Sequence, residues 1–487
     1  MRQYKRNLNP LLSDETNGPD STSEFIKQSS QEVNAMRHLF LSSKRIEYIH
    51  RAAIAAILVC NILPGPAKAA SGDLDALFGI EGKLVHDVSS SLSDLGLALG
   101  AMVTQPDGKI LMAGSVRSLF VLARYNPNGT IDTSFGVEGI SEVSGFRGAD
   151  LDLMDDGRIV AAGTVLTPGN FDFEVVRFNP DGSLDSTFGN GGRTFTDFSG
   201  TRDDGSAVSV TSDGKIVVAG FSSGPSGGLN FALARYNSDG TLDTSFGNGG
   251  TVITDFSGFD ETISELAIQK DGKYVAVGQT ESFARVIEDP ECGCPVTILR
   301  IDFAIARYNV DGSLDSGFGD GGKVALQVTN PATDNPSIAR SVAIQRDGKI
   351  VVAGIADGFG VVRLNEDGSL DSSFGINGKV NTTFFVQGPG DRANAVMLEP
   401  DGKIIVAGRV NTGRPDTDFG IARYERDGTL DTSFGVEGKI ATDFGDSIDE
   451  ARSIARSRGR ILVGGFTTNG TAFPPGAAFA IARYRPH

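Results

Sequence analysis

Between residues 215 and 236 the chain holds two different kinds of apolar segment. Ile216-Val217-Val218-Ala219 is apolar at every position, which suits a strand covered on both faces. The segment from Phe231 to Tyr236 alternates instead. Phe231, Leu233 and Arg235 point one way, and the small Ala232 and Ala234, with Tyr236, point the other. A sheet packed between two neighbouring sheets needs this matching of large against small. The pattern predicts four short strands per unit: A at 207–211, B at 215–221, C at 231–236, and D within 241–254. No stretch of residues 70–487 keeps a 3.6-residue period, so helical arrays are excluded.

The unit repeats. Gly-x-Leu-Asp-x-x-Phe-Gly recurs with its phenylalanine at 78, 135, 188, 246, 318, 374 and 434, a mean spacing of about 59 residues. Asp-Gly-Lys-Ile-x-x-Ala-Gly begins at Asp107, Asp156, Asp213, Asp271, Asp347 and Asp401, with a degenerate copy at Arg458-Gly459-Arg460-Ile461. Phe-Ala-x-Ala-Arg-Tyr-Asn places its arginine at 124, 177, 235, 307, 363, 423 and 483. Self-similarity at this period means a stacked or radial array, and four-stranded units arranged radially make a β-propeller. The order of motifs also predicts closure. The array opens with a lone strand D at 74–78 and ends with a strand C at 479–484. The expected fold is therefore all-β, a seven-bladed β-propeller of four-stranded blades. Its ring is closed by the N-terminal strand D joining C-terminal strands A to C, which leaves no free sheet edge.

Asp-Gly-Ser-Leu-Asp-x-x-Phe-Gly together with Asp-Gly-Lys-Ile-Val-Val-Ala-Gly, at about 60 residues, resembles the bacterial delta-60 repeat family across residues 72–487. That resemblance implies an exported β-propeller of undefined activity, with no catalytic residues to carry over.

The repeated polar residues read as architecture. Asn179-Pro180-Asp181-Gly182 suits a three-residue hairpin loop, with proline presetting φ and glycine taking the left-handed position. Such a loop sets Arg177 directly opposite Asp185. The same offset predicts cross-strand ion pairs Arg124/Asp132, Arg235/Asp243, Arg307/Asp315, Arg363/Asp371 and Arg423/Asp431, each facing the neighbouring blade. The Asp-rich turn also invites a calcium reading. However, Arg235, Arg307 and Arg363 occupy the first ligand position, so turn chemistry is the expectation there.

Composition places the chain and narrows its chemistry. Of 487 residues 63 are glycine, with no tryptophan, four histidines, three cysteines and a net charge of −17. An apolar run at 52–63 follows Lys44, Arg45 and Arg51 and precedes Ala67-Lys68-Ala69, the layout of a secretory signal too short to span a bilayer. Residues 1–69 are therefore expected to be an N-terminal extension with a cleavable signal, and 70–487 the propeller. Met36 begins a signal of ordinary length. Residues 70–487 carry a net charge of −20. Clustered Lys and Arg for nucleic acid or an anionic membrane are missing, no other run can span a membrane, and a monomer exported to periplasm, surface or medium is expected.

Function is expected on the face opposite the uniform Asp-Gly hairpins. From the last glycine of strand B to the phenylalanine of strand C the units step 6, 10, 11, 25, 5, 11 and 14 residues, and variable loops on a rigid scaffold are where binding lives. The longest connection, 279–301, holds Cys292 and Cys294, which read as a local disulfide, with a metal site or reduced thiols as alternatives. The D–A connections of the same face carry Asp197, Asp203, Asp255, Asp260, Asp443, Asp446 and Asp449. They form either a solvated rim or a candidate ligand face for a basic group or a divalent cation such as calcium. No cofactor is predicted beyond that option, and no residue is assigned a catalytic or metal role. With His86 and His487 at the ends of the array, a histidine-based triad or metal site is nearly excluded. The expectation is a non-enzymatic module holding a protein or glycan. The competing reading is a metal-dependent, lactonase-like hydrolase with a carboxylate site near the central channel.

Overall fold

The computed structural model describes residues 70–486, apart from residues 88–96, 117, 168, 199–201, 225–226, 257–258, 289–293, 331–334, 386–389, 413–415, 446–447 and 469–476. The predicted signal and His487 lie outside the described residues.

Seven antiparallel four-stranded sheets form a β-propeller, with no helix among the described residues. In blade 3, strands A to D are Asp203–Val210, Ile216–Ser223, Leu229–Tyr236 and Thr251–Thr254. Blade 7 draws strands A to C from Asp449–Ser457, Arg460–Thr468 and Ala477–Tyr484, and its strand D is Lys83–Asp87. The N-terminal strand is therefore the last strand of the C-terminal blade. Blade 1 in turn packs on blade 7. Met102, Ile110 and Met112 share one cluster with Leu462, Phe479 and Ile481, and Ser453 Oγ donates to Met102 O at 3.2 Å. The ring is closed.

Two expectations are corrected here. The segment 74–78 is not strand D. Leu74 makes a single bridge to Tyr484, and the Leu-Asp-x-x-Phe-Gly segment then turns, because the aspartate caps its own following amide. Asp75 Oδ1 accepts from Leu77 N at 3.3 Å, and Asp185 Oδ1 from Thr187 N at 3.0 Å. Strand D begins after the turn, at Lys83. Nor is 279–301 a loop. Strands Tyr274–Glu288 and Pro295–Tyr308 of blade 4 keep pairing, with one register shift, until Glu288 faces Pro295. The result is a hairpin that leaves Phe283, Val286 and Leu299 exposed.

The core lies between blades. Phe231, Leu233 and Phe246 of blade 3 pack with Ile263, Tyr274 and Ala304 of blade 4, while Ala232, Ala234 and Tyr236 face blade 2. All three sequence motifs meet at this junction. Arg177 Nε donates to Asp185 Oδ2 at 2.8 Å, and the other five internal pairs are 2.7–2.8 Å apart. Each guanidinium also stacks on the Phe-Gly phenylalanine, as Arg177 does on Phe188 at 4.5 Å, and donates to a turn carbonyl of the next blade, Ser238 O in that case. The Asp-Gly-Lys lysine reaches the same carboxylate, Lys215 Nζ lying 2.7 Å from Asp243 Oδ2. One aspartate thus balances two cations while the arginine ties adjacent blades together.

A second junction pair varies in step. Tyr236, Tyr308, Tyr424 and Tyr484 donate to Thr196, Thr254, Thr382 and Thr442 of the preceding blade at 2.7–2.9 Å. At the blade 7–1 junction the threonine position is His86, whose Nδ1 lies 2.7 Å from Tyr125 Oη, and burial lowers its pKa. His86 is a junction residue.

Candidate functional site

Each inner strand A carries one β-bulge, where the ladder to strand B skips Gly100, Ala149, Ser206, Ser264, Arg340, Asn394 or Arg452. A bulge re-aims the side chains beside it, and all seven of these residues line one axial cavity of about 430 Å³. The bulges fall in the first half of each inner strand, so the cavity lies nearer the face with the variable connections.

Architecture repeats in this ring, but the cavity lining does not. After the bulge come Ala101, Asp150, Ala207, Glu265, Ser341, Ala395 and Ser453. Blades 2 and 4 therefore bring in two carboxyls. Asp150 Oδ2 accepts from Val208 N at 2.9 Å, and Glu265 Oε2 from Val342 N at 3.2 Å, each from the next blade's inner strand. Burial pushes the Asp150 carboxyl up to about 7 against the pull of those amide bonds. Burial also pushes Glu265 up to about 8, with a bond from Ser341 opposing and the charge of Asp150 adding to the rise. Both groups are poised to hold a proton near neutral pH and to donate it in a hydrogen bond. Asp152, one turn of the pleat further on, caps Val210 N at 2.7 Å and is likewise raised by burial.

The opposite arc is basic. Arg340 (blade 5), Arg392 and Arg409 (blade 6) and Arg452 (blade 7) gather around Glu450. Arg452 Nε lies 3.0 Å from Glu450 Oε1, to which Asn394 Nδ2 also donates at 3.0 Å, and Arg409 Nη1 is 3.9 Å from Oε2. Arg340 Nε and Arg409 Nε are buried and donate to no partner. Burial, followed by the charge of Arg452, lowers the pKa of Arg340. A buried N–H with nothing to bond costs free energy of about 1–3 kcal/mol, and an anion is the group that relieves it.

The sequence-predicted acidic residues separate into two kinds. Asp197, Asp255 and Asp443 are exposed, whereas Asp203 and Asp449 are fully buried. Asp203 Oδ2 accepts from Phe198 N and Asp449 Oδ2 from Phe444 N, at 2.8 and 2.7 Å. Asp260 Oδ1 caps Leu229 N at 3.0 Å, and Asp446 lies outside the described residues. Two pairs draw in a third carboxylate from strand C, giving Asp172–Asp197–Asp203 and Asp418–Asp443–Asp449, each with ligand oxygens within 4.8 Å of one another. Cys294 is disulfide-bonded; Cys292, its expected partner, lies outside the described residues. Sequence reading missed Asp150, Glu265, Arg340 and Arg452. Their one signal is departure from the repeat at a position whose inward aim depends on the bulge.

The chain matches the family described as a β-propeller domain of unknown function (DUF5122) over residues 105–135, 155–188, 211–246, 301–318, 345–374 and 399–434. No curated protein matches it. Among solved structures it is similar to a protein from Lactobacillus plantarum, at 14% identity and a TM-score of 0.41, covering 71% of this chain and 88% of that one. It is also similar to the PQQ-bound aldose sugar dehydrogenase of Streptomyces coelicolor, at 10% and 0.36, covering 82% and 98%. A gluconolactonase of Xanthomonas campestris gives 12% and 0.31, covering 67% and 90%.

Proposed function

We propose that the protein is an exported, monomeric binding module of the delta-60 type, and that it holds the acidic end of a glycan in the axial cavity. One observation carries the reading: the buried, unpartnered Nε of Arg340, set among four arginines that outnumber the carboxylates beside them, Glu450 and Asp391. A carboxylate or sulfate of the ligand takes that donor, while the sugar hydroxyls meet Asp150 and Glu265 across the cavity. A volume of about 430 Å³ is in the range of small-ligand sites. Export rests on the signal layout at 44–69, with cleavage after Ala69. N-terminal sequencing of the secreted protein tests it, and Ala70 is the expected first residue. The binding test is calorimetric titration with a uronate or sulfated oligosaccharide beside its neutral counterpart. Heat from the acidic ligand alone, lost in Arg452→Gln, is expected; equal binding of both ligands overturns the reading.

A second reading has its own support. Asp150 and Glu265 are two carboxyls raised toward neutrality in a cavity, the arrangement that acid–base hydrolysis uses. It predicts cleavage of the bound oligosaccharide that Asp150→Asn abolishes, whereas the binding reading predicts recovery of the ligand intact.

A further inference from the structure

On the variable-face side of the bulges, the mouth of the axial cavity carries a second group of cations, away from Arg340 and Arg452. Arg147 (blade 2) stands two residues before Ala149, the bulge residue that lines the cavity. Only one other inner strand has a cation at this register, Arg392 in blade 6. Phe221 of blade 3 also lines the cavity. Between Arg147 and Phe221, charged and aromatic side chains alternate. The Arg147 guanidinium lies 5.6 Å from the centre of the Phe171 ring on strand C, and that of Arg202 lies 5.9 Å from Phe171 and 5.3 Å from Phe221.

An aromatic face fixes the plane of a guanidinium without using its N–H donors. Arg202 also donates from Nε to Asp204 Oδ2 at 2.7 Å. Asp204 is itself pinned, because the buried Thr164 donates from Oγ1 to its Oδ1 at 2.8 Å. Arg147 differs. Its exposed side chain makes no hydrogen bond or ion pair among the described residues, so its donors are oriented by Phe171 and open to a ligand. Residues 70–487 carry a net charge of −20, yet six arginines face the mouth against Asp204, Asp391 and Glu450. A positive mouth on an acidic protein draws anions into the cavity.

We propose that the ligand is polyanionic, an oligosaccharide with acid groups on at least two of its sugars. Arg147, held in the Phe171–Arg202–Phe221 stack, is the subsite for the second acid. This rests on the reading of the axial cavity as the seat of the ligand's acidic end. The first acid reaches Arg340 on the arc of blades 5 to 7, and hydroxyls meet Asp150 and Glu265. The chain then leaves over blade 2, where Arg147 precedes Asp150 by three residues on the same strand. A carboxylate or sulfate matches the planar fork of a guanidinium.

The experiment is calorimetric titration with two pairs of probes, galacturonate with hexagalacturonate and glucose 6-sulfate with a sulfated maltohexaose. Each pair sets one acid group against many. Arg147→Gln is expected to weaken the hexasaccharide that binds by about tenfold and to leave its monosaccharide unchanged. Arg340→Gln is expected to weaken both. The Tm of Arg147→Gln should equal that of the unmodified protein, since the side chain holds no bond of the fold. Binding of neither hexasaccharide overturns the cavity reading and this inference with it. If Arg340→Gln weakens the hexasaccharide and Arg147→Gln does not, the inference falls and the cavity reading stands. It falls likewise if Arg147→Gln weakens both members of a pair equally, or lowers Tm by several degrees, which would assign Arg147 to the first site or to the scaffold.

Discussion

Arg483 Nη2 lies 3.1 Å from Asp75 Oδ2, joining the last strand of the folded chain to its first turn. Arg460 Nε and Arg485 Nη2 converge on the same carboxylate at 2.9 and 3.6 Å. Asp75 is buried while Arg460 and Arg485 are partly exposed, so solvent screens part of the attraction. Replacing Asp75 by Asn is expected to cost about 2–3 kcal/mol, because it strands cations at a buried acceptor. The loss should be local as well as global. Amides of Lys83–Asp87 and Ala477–Tyr484 should exchange hydrogen faster than those of blades 3 to 5. Uniform acceleration around the ring would mean that the seam is no weaker than any other junction.

Stability should fall on both sides of neutrality, for different carboxyls. Against the burial that would raise it, the Thr187 bonds, the Arg158 bond and the charge of Arg177 hold Asp185 down, to about 2 from 3.8. Its contribution is present above about pH 4 and is lost as pH falls through 2. Glu265 runs the other way, from 4.5 to about 8. Its contribution is complete below about pH 4.5 and disappears as pH rises through 8. Glu265→Gln keeps an acceptor for Val342 N and should flatten the alkaline limb of a plot of Tm against pH, leaving the acid limb unchanged. An alkaline limb of unaltered slope would show that Glu265 stays ionised in the fold.

Arg340 should separate binding from stability. Its buried Nε lacks a partner, and its charge adds to those of Arg392 and Arg452. Arg340→Gln is expected to leave Tm unchanged or to raise it by 1–2 °C or so, while weakening binding of an acidic oligosaccharide at least tenfold. Raising salt should weaken the unmodified protein's binding more than the variant's. A variant that loses several degrees of Tm would assign Arg340 to the scaffold instead.

The repeat was legible because every blade solves the same packing problem with the same residues. The eight-residue offset between Arg177 and Asp185 follows from the length of one turn, and closure follows from the motif order. What a single sequence conceals is the inner strand's first half. Residues 203–206 contain an Asp-Gly pair of their own, Asp204-Gly205, which looks like another turn, so strand A reads as starting at Ala207. The bulge at Ser206 then goes unseen, and with it the side of the sheet on which neighbouring residues fall. Asp150 and Glu265 look like ordinary half-exposed strand acids until the extra residue turns them inward. Asp172 and Asp418 were hidden for another reason. They precede the phenylalanine of strand C and acquire meaning only when the D–A connection folds back over them.

The glycines of the Asp-Gly turns provide the sharpest test of junction packing. Gly157 and Gly182 share the same left-handed φ, +85° and +89°, so alanine strains the backbone equally at both, by about 1 kcal/mol. Their surroundings differ. A Cβ on Gly157 would meet nothing nearer than Pro180 at 3.6 Å, whereas on Gly182 it would strike Gly136 N and the Phe135 ring at 2.9 Å. Those atoms belong to the preceding blade, where Gly136 N donates to Asp181 O at 2.7 Å and Ser141 Oγ to Gly182 O at 2.7 Å. Gly182→Ala must therefore spread the blade 1–2 junction and lose bonds that Gly157→Ala keeps. The expected difference in unfolding free energy is about 2 kcal/mol, read from denaturant melts of the two variants. Equal costs would mean that the C–D turns cap their own blade and contribute nothing to holding the ring together.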